Sequence, residues 1–396
     1  MAIQVGLGTS IDKDPLKAAR EAAKTARLNL HSENVDLAVV FSSVEFTHTT
    51  FLKTIAAVAG TVNIIGSSSF GIITSQAIFK SGIAIMLFSF PETIHFSCAC
   101  IKDVGPRPAA SIGIELADKL SVEFKNVRRN VGVLFSDGLM QDSSGLLDGL
   151  RERFGMSFPL AGASSSDNLT FKKTFQYFNT EVLNYAVCGL LLGGRLNFGL
   201  GVQHGWKPLG KPRYVTKSSA NIVYEIDGAP AAKVYEEYFA SDIEKLRKDL
   251  RRILAFYPMG IYLPGEQEYL LRSLLFITDS GALVFQGNIP QESEVRLMIG
   301  TKESCLAAAG QAADEVKRGL AGRPCNFVFV FESISRYILL GRQINKELGI
   351  IKEKLGKDIP IIGIYTYGEQ APLKSIDYHG MVHFHNQTIA ILGIGG

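Results

Sequence analysis

The chain is poor in the residues and runs that would mark several large classes of protein. Among 396 residues there are five cysteines, one tryptophan and seven histidines, and charged residues make up only 20%. Cysteines 98 and 100 form the one close pair, and no second pair stands at the spacing that completes a zinc site. All five therefore read as small hydrophobes in a reducing compartment. The opening MAIQVGLGTSIDKD lacks a basic region followed by an apolar run, so no signal peptide is expected. No apolar run is long enough to span a bilayer, and a cytoplasmic location follows as the expectation. The net charge is only +3, and the densest basic run, EKLRKDLRR, is interleaved with acids like a solvated helix face. No nucleic-acid partner is expected.

Phosphate loops and nucleophile elbows are missing too. GLGTSI and GLGVQH begin like a dinucleotide fingerprint but carry Ile11 and His204 where its last glycine belongs. No Gly-Lys-Ser/Thr occurs. GSSSFG places Phe70, and GASSSD places Ser166, where an elbow needs its second glycine.

What the chain does have is an order of elements that recurs. A central strand with a polar end appears as VVFSS, VLFSD and FVFES. A second strand opening into a polar turn appears as NIIGSSSFG, FPLAGASSSDN and IPIIGIYTYGEQAP. Helical stretches separate them, such as DPLKAAREAAKTARLNL with proline near its start. The third copy is expected to begin with the strand in VRLMIGTKES. Alternating strands and helices with hairpin-like closing strands predict an α/β fold with mixed β-sheets and internal repeats of a β-α-β-α-β-β unit, in two domains. A different segment, about 195–292, interrupts the series. It contains strands punctuated by Gly and Pro, a helix near Pro230, and a strand pair around Asp279-Ser280-Gly281. The domains are expected at 1–220, with two repeats, and 221–396, with the third.

In α/β sheets ligands gather beyond the carboxyl ends of strands, where the polar turns lie. Glu332 and Glu369 could face each other as an acid/base pair, or simply accept backbone N–H groups in turns. A Ser68, His48, Asp137 set can be written, but nothing in the sequence places it together. Among the late histidines His379, His383 and His385, the last two alternate on one strand face, which suits either haem ligation or hydrogen bonds to turns. His204, beside Trp206, has the same two readings.

The block GVQHGWKPLGKPRYVTKSSANIVYEIDGAPAAKVYEEYF, followed by IGIYTYGEQAP and HFHNQTIAILGI, resembles the FIST family of sensory proteins. Tyr367-Gly368-Glu369 and His385-Asn386 resemble its C-terminal signature, and IIGSSSFG its N-terminal turn. Gln370 departs from the usual aliphatic residue. The resemblance implies a FIST N-terminal and a FIST C-terminal domain and a sensory, non-enzymatic protein. It implies a small-molecule ligand that is amino-acid-like or a small carboxylate. It also implies an output partner such as a histidine kinase, a cyclic-dinucleotide enzyme or a chemoreceptor. That partner is expected to be a separate chain, and a homodimer remains open. No cofactor is expected; the alternative is a haem-binding gas sensor with His204, His383 or His385 as ligand. Under the first reading Gly66, Ser67, Ser68, Ser164 and Ser165 would offer donors to a carboxylate. Tyr365, Tyr367 and Gly368 would wall the site. Glu369 and Asn386 would meet an ammonium or amide, and His385 is a further ligand-binding residue. An enzyme using Glu332 and Glu369 is the further alternative.

Overall fold

A computed structural model describes residues 3–46, 50–248, 256–373 and 380–396. His48 and His379 lie outside the described residues. The chain adopts the mixed α/β architecture, built on three six-stranded sheets that share one layout. The first runs Gln4–Ser10, Ile83–Ser89, Leu37–Ser42, Ile64–Ser68, then the hairpin strands Gln176–Phe178 and Glu181–Leu183. The second has Ile94–Ile101, Val187–Gly194, Arg129–Ser136 and Leu160–Ser164 in the same places, then Gly368–Pro372 and Val382–His385. The third has Asn197–Gln203, Ile389–Gly395, Phe327–Ser333 and Ile361–Thr366, then Ile72–Thr74 and Ile78–Phe79. The central and second strands pair in parallel, and the other pairs are antiparallel.

In every sheet the closing hairpin comes from another unit. The first sheet borrows from the second unit, the second from the third, and the third from the first. This exchange makes the three sheets one body. Strand pairing also joins the regions expected on either side of residue 220.

Central strands that read as continuous apolar runs are buried on both faces. Inward, Phe41, Phe135 and Phe331 occupy equivalent places just before the polar strand ends. Their rings meet edge-on, with Phe41–Phe135 at 5.5 Å and Phe135–Phe331 at 6.0 Å. Outward, a helix pair covers each sheet: Pro15–Asn29 with Phe51–Ala59, Ala109–Ser121 with Ser143–Phe154, and Lys302–Leu320 with Ile344–Leu355. The helix Pro15–Asn29 starts where the Asp14 side chain accepts from the N–H groups of Leu16 and Lys17. It presents alanines to the sheet so closely that a Cβ on Gly8 would stand 2.1 Å from the Ala22 carbonyl oxygen. A Cβ on Gly201 would stand 1.9 Å from that of Ala312. The two Gly-x-Gly runs are thus strand segments against which a helix lies directly.

One expected element belongs elsewhere. The strand Glu294–Gly300 is not the first strand of the third unit; Asn197–Gln203 holds that place. Glu294–Gly300 instead pairs with the long strand Trp206–Ser219 in a fourth, eight-stranded sheet. Alternation marks a strand but not its partner, so the two segments were indistinguishable locally. The fourth sheet is the interrupting segment. It contains the helix Lys233–Phe239 and the hairpin Leu274–Ile277 with Leu283–Phe285, whose turn is closed by Gly281 N donating to Thr278 O at 3.0 Å. No helix among the described residues is long and apolar enough to cross a membrane.

Candidate functional site

The three polar strand ends come together. Ser68 Oγ donates to the Ser166 carbonyl at 3.0 Å and accepts from Phe175 N at 2.9 Å. Ser69 Oγ and Ser166 Oγ both donate to the Tyr365 carbonyl, at 2.9 and 2.6 Å. Ser165 Oγ donates to Ser136 O and accepts from Gln176 Nε2, each at 3.0 Å. Ser164 Oγ meets Ser136 Oγ and accepts from Gln370 Nε2, each at 3.0 Å. All of these serines are buried. The hydroxyls expected to greet a carboxylate are used internally, Ser68 and Ser164 between units and Ser165 within its own, which is how buried hydroxyls avoid desolvation loss. Ser67 is the exception: its Oγ is buried without a partner among the described residues. Gly66 has a packing role, since a Cβ there would stand 1.8 Å from the Val40 carbonyl oxygen. Gly368 lies against the Phe384 ring in the same way.

The two candidate acids have separate partners. Arg336, one helical turn beyond Glu332, is fully buried and donates Nε to Glu332 at 3.2 Å and Nη2 to Glu347. Its remaining donors reach the carbonyls of His204 at 2.7 Å and Cys305 at 3.0 Å. Burial, and then the nearby Glu347 charge, push Glu332 well above the usual carboxylate range. Glu369 accepts from Thr366 Oγ1 at 2.6 Å and Thr388 N at 3.2 Å, and burial pushes it up to about 8.

Two of the three candidate histidines have polar neighbours. His385 Nε2 lies 2.8 Å from Ala371 O, and burial pushes it down to about 3. Burial pushes His383 down to about 4. His204 Nδ1 accepts from Trp206 N at 2.9 Å, and its Nε2 is 3.1 Å from Glu268. Among the described residues no group of three or more His, Cys, Asp or Glu is placed to hold a metal ion.

The open space lies one layer outward, where the fourth sheet faces the carboxyl ends of the strands. Two adjoining cavities, of about 430 and about 380 Å³, share Phe171, Leu275 and Gln286 as walls. The larger is also lined by Ser273, Ser333, Ser335, Ile338, Thr366 and Tyr367. None of the three histidines lines either cavity. Of the residues expected from the sequence, Tyr367 alone lines one; Asn386 stands behind the wall, its Oδ1 accepting from Ser273 N at 3.0 Å and its Nδ2 3.4 Å from Gln286 Oε1.

The loop after the second unit's polar turn forms the mouth. Asp167 gathers it, accepting from Thr170 Oγ1 at 2.6 Å, from the N–H groups of Thr170 and Lys172 at 2.9 Å, and from the Tyr367 hydroxyl. Burial alone would raise this carboxyl, but the hydrogen bonds from Thr170, Tyr367, Lys172 and Lys173 hold it at about 2. The loop carries two non-glycine residues in the left-handed region, Leu169 at φ 61 and Phe171 at φ 52. Both stay at the surface, 40% and 52% exposed, and Phe171 stacks on Tyr367 with ring centroids 4.5 Å apart. The two apolar side chains stand over the cavity in backbone conformations that L residues rarely adopt, which makes the loop a candidate ligand contact. The sequence signal was faint: an acid three residues before a threonine, in SDNLTFKK.

Comparison with known proteins agrees with the C-terminal and N-terminal signatures. The FIST N domain model matches residues 36–229 and the FIST C domain model residues 231–372. An uncharacterized protein of Methanocaldococcus jannaschii is 27% identical over 353 residues, covering 81% of this chain and 67% of that protein. An uncharacterized protein of Mycobacterium tuberculosis is 23% identical over 404 residues, covering 98% of this chain and 99% of that one. Among solved structures a chorismatase aligns over 92% of this chain and 94% of its own, with TM-score 0.34 and 7% identity. A cyanuric acid hydrolase from A. caulinodans aligns over 49% and 71%, with TM-score 0.29 and 9% identity.

Proposed function

Because the chain belongs to the FIST family, whose domains are associated with small-ligand binding and signal transduction, we propose that it is a sensor that takes its ligand in the cleft under the Phe171 loop. The observation that carries this reading is the pair of adjoining cavities between the strand ends and the fourth sheet, roofed by strained, exposed apolar residues. Ligand pockets are concave, largely apolar and marked by a few placed polar groups, as this lining is.

A binding role is favoured over a catalytic one by the lining of the larger cavity. Among the described residues it holds hydroxyls, amides and apolar side chains but no histidine, lysine or carboxylate to serve as acid or base. Glu332, Glu369 and Asp167 are each held by internal partners. The same lining bears on the ligand. Among the described residues no arginine or lysine borders the larger cavity, so a buried carboxylate there would lack a counter-charge and carry its full desolvation cost. An uncharged compound with an amide or hydroxyl group and a planar apolar part suits it better than an amino acid or small carboxylate. Occupancy would then be read by a separate signalling partner of the kinase, cyclic-dinucleotide or chemoreceptor type.

Thermal-shift measurements with isosteric pairs, such as benzamide and benzoate or an amino acid and its uncharged analogues, test this directly. The uncharged members should raise the melting temperature, and the cavity-filling substitution Ser335→Trp should abolish the effect. A shift given only by the charged members would overturn the ligand class. A shift that survives Ser335→Trp would overturn the site.

A further inference from the structure

A separate cavity, of about 450 Å³, lies at the other end of the sheets, where Arg129–Ser136 and Asn197–Gln203 begin. Its polar walls are Arg128, Arg129, Asn130, Ser157, Asn197 and Arg323. No carboxylate among the described residues lines it. Elsewhere in the chain arginines commonly pair with acids: Arg107 with Glu115, Arg153 with Asp118, Arg213 with Asp227 and Glu237, Arg247 with Asp279, and Arg336 with Glu332 and Glu347. Arg128, Arg129 and Arg323 have no acid within ion-pair distance among the described residues.

Neutral groups hold two of these three guanidinium groups in position. Arg129 lies over the rings of Phe154 and Phe158, at 5.4 and 5.9 Å from their centroids. Arg323 donates to Asn197 Oδ1. Three like charges from two separate chain segments line one hollow, and an anion there meets them without displacing an ion pair. Planar guanidinium forks match phosphate oxygens two at a time. Asn130 adds a different demand: it lines the cavity, its Nδ2 donates to the Leu196 carbonyl at 3.4 Å, and its Oδ1 has no partner among the described residues, so a turn of the side chain toward the hollow offers an acceptor to a hydroxyl or N–H hydrogen. The cavity also exceeds what a lone phosphate fills, a single water taking only about 30 Å³.

We infer that this cavity is a binding site for a phosphate monoester carrying a hydroxyl-bearing organic group, with Arg128, Arg129 and Arg323 on the phosphate and Asn130 on the organic part. It is separate from the cleft under Phe171 and does not rest on the function proposed for that cleft.

Isothermal titration of the full chain with ribose 5-phosphate, ribose and inorganic phosphate tests it. Ribose 5-phosphate should bind saturably at one site, inorganic phosphate more weakly, and ribose not at all. Arg128→Ala and Arg323→Ala, both at exposed positions, should each weaken binding about tenfold or more, the loss expected for a charge-assisted hydrogen bond. Arg129→Lys keeps the charge and much of the stem that packs on the two rings, and should also weaken binding, because it loses the fork. Arg213→Ala, remote from the cavity, should leave the affinity unchanged. Affinity that is equal in wild type and the Arg128→Ala/Arg323→Ala double variant, or no saturable binding by wild type, would overturn the inference. Equal affinity for inorganic phosphate and ribose 5-phosphate would overturn the part assigned to Asn130.

Discussion

Replacing Glu369 by glutamine should make the protein more stable in alkali and leave it nearly unchanged in acid. The carboxyl is fully buried, it accepts from the Thr366 hydroxyl and the Thr388 N–H, and burial pushes it from 4.5 up to about 8. Between those values the folded chain keeps a proton that the unfolded chain releases. Stability therefore falls as pH rises through this window, and the contribution is flat below about 4.5 and above about 8. A span of about 3.5 in pH, at about 1.36 kcal/mol for each, gives roughly 5 kcal/mol as the most that ionising Glu369 can remove. Glutamine has the shape of the neutral carboxyl. Its oxygen can accept from Thr388 N while its amide donates to Thr366 Oγ1, a hydroxyl that can turn to accept. Urea unfolding of wild type and Glu369→Gln in parallel at pH 4.5 and pH 9 reads the difference. The expectation is a gap within ~1 kcal/mol in acid and a variant more stable by about 3–5 kcal/mol in alkali. A variant that is less stable by the same amount at both values would refute the reasoning, since it would mean that an ionised carboxylate at 369 stabilises the fold.

Three further outcomes follow from the same contacts. Arg336→Met should cost about 3–5 kcal/mol by denaturant unfolding, because it strands two buried carboxyls and the His204 and Cys305 carbonyls; a loss under ~1 kcal/mol would contradict the buried triad. Phe135→Ala should cost about 3–5 kcal/mol, since its ring touches both Phe41 and Phe331 where the three sheets meet; a much smaller loss would contradict a shared core. Asp167→Asn should cost about 1–2 kcal/mol after allowance for solvent screening at the loop, and should speed amide hydrogen exchange at 168–173 while leaving the central strands protected; unchanged exchange there would show that Asp167 does not gather the loop.

Much of the scaffold was legible before any coordinates. VVFSS, VLFSD and FVFES proved to be the central strands, and their phenylalanines meet in the core. The turn at Asp279-Ser280-Gly281 and the helix after Pro230 were legible because turn chemistry and helical spacing are local. Pairing was not. Nothing in IITSQAIF says that Ile72–Thr74 will join Ile361–Thr366, nearly three hundred residues away. For the same reason Glu294–Gly300 could be mistaken for Asn197–Gln203. The polar turns were located correctly, but their use was hidden. A serine that binds a ligand and one that ties two units together look alike until the neighbouring strand ends are in place. Leu169 and Phe171 read as ordinary apolar residues, and only their exposure, positive φ and place over the cleft single them out.

The central claim is that the cleft beneath the Phe171 loop holds a small molecule. Native mass spectrometry of the full chain, purified without denaturation and equilibrated with a mixture of small metabolites, tests it most directly when wild type and Ser335→Trp are compared. The account predicts a non-covalent adduct of defined mass on wild type that is absent from the variant, with both proteins folded by circular dichroism. The same adduct on both proteins, or none on wild type, would contradict it.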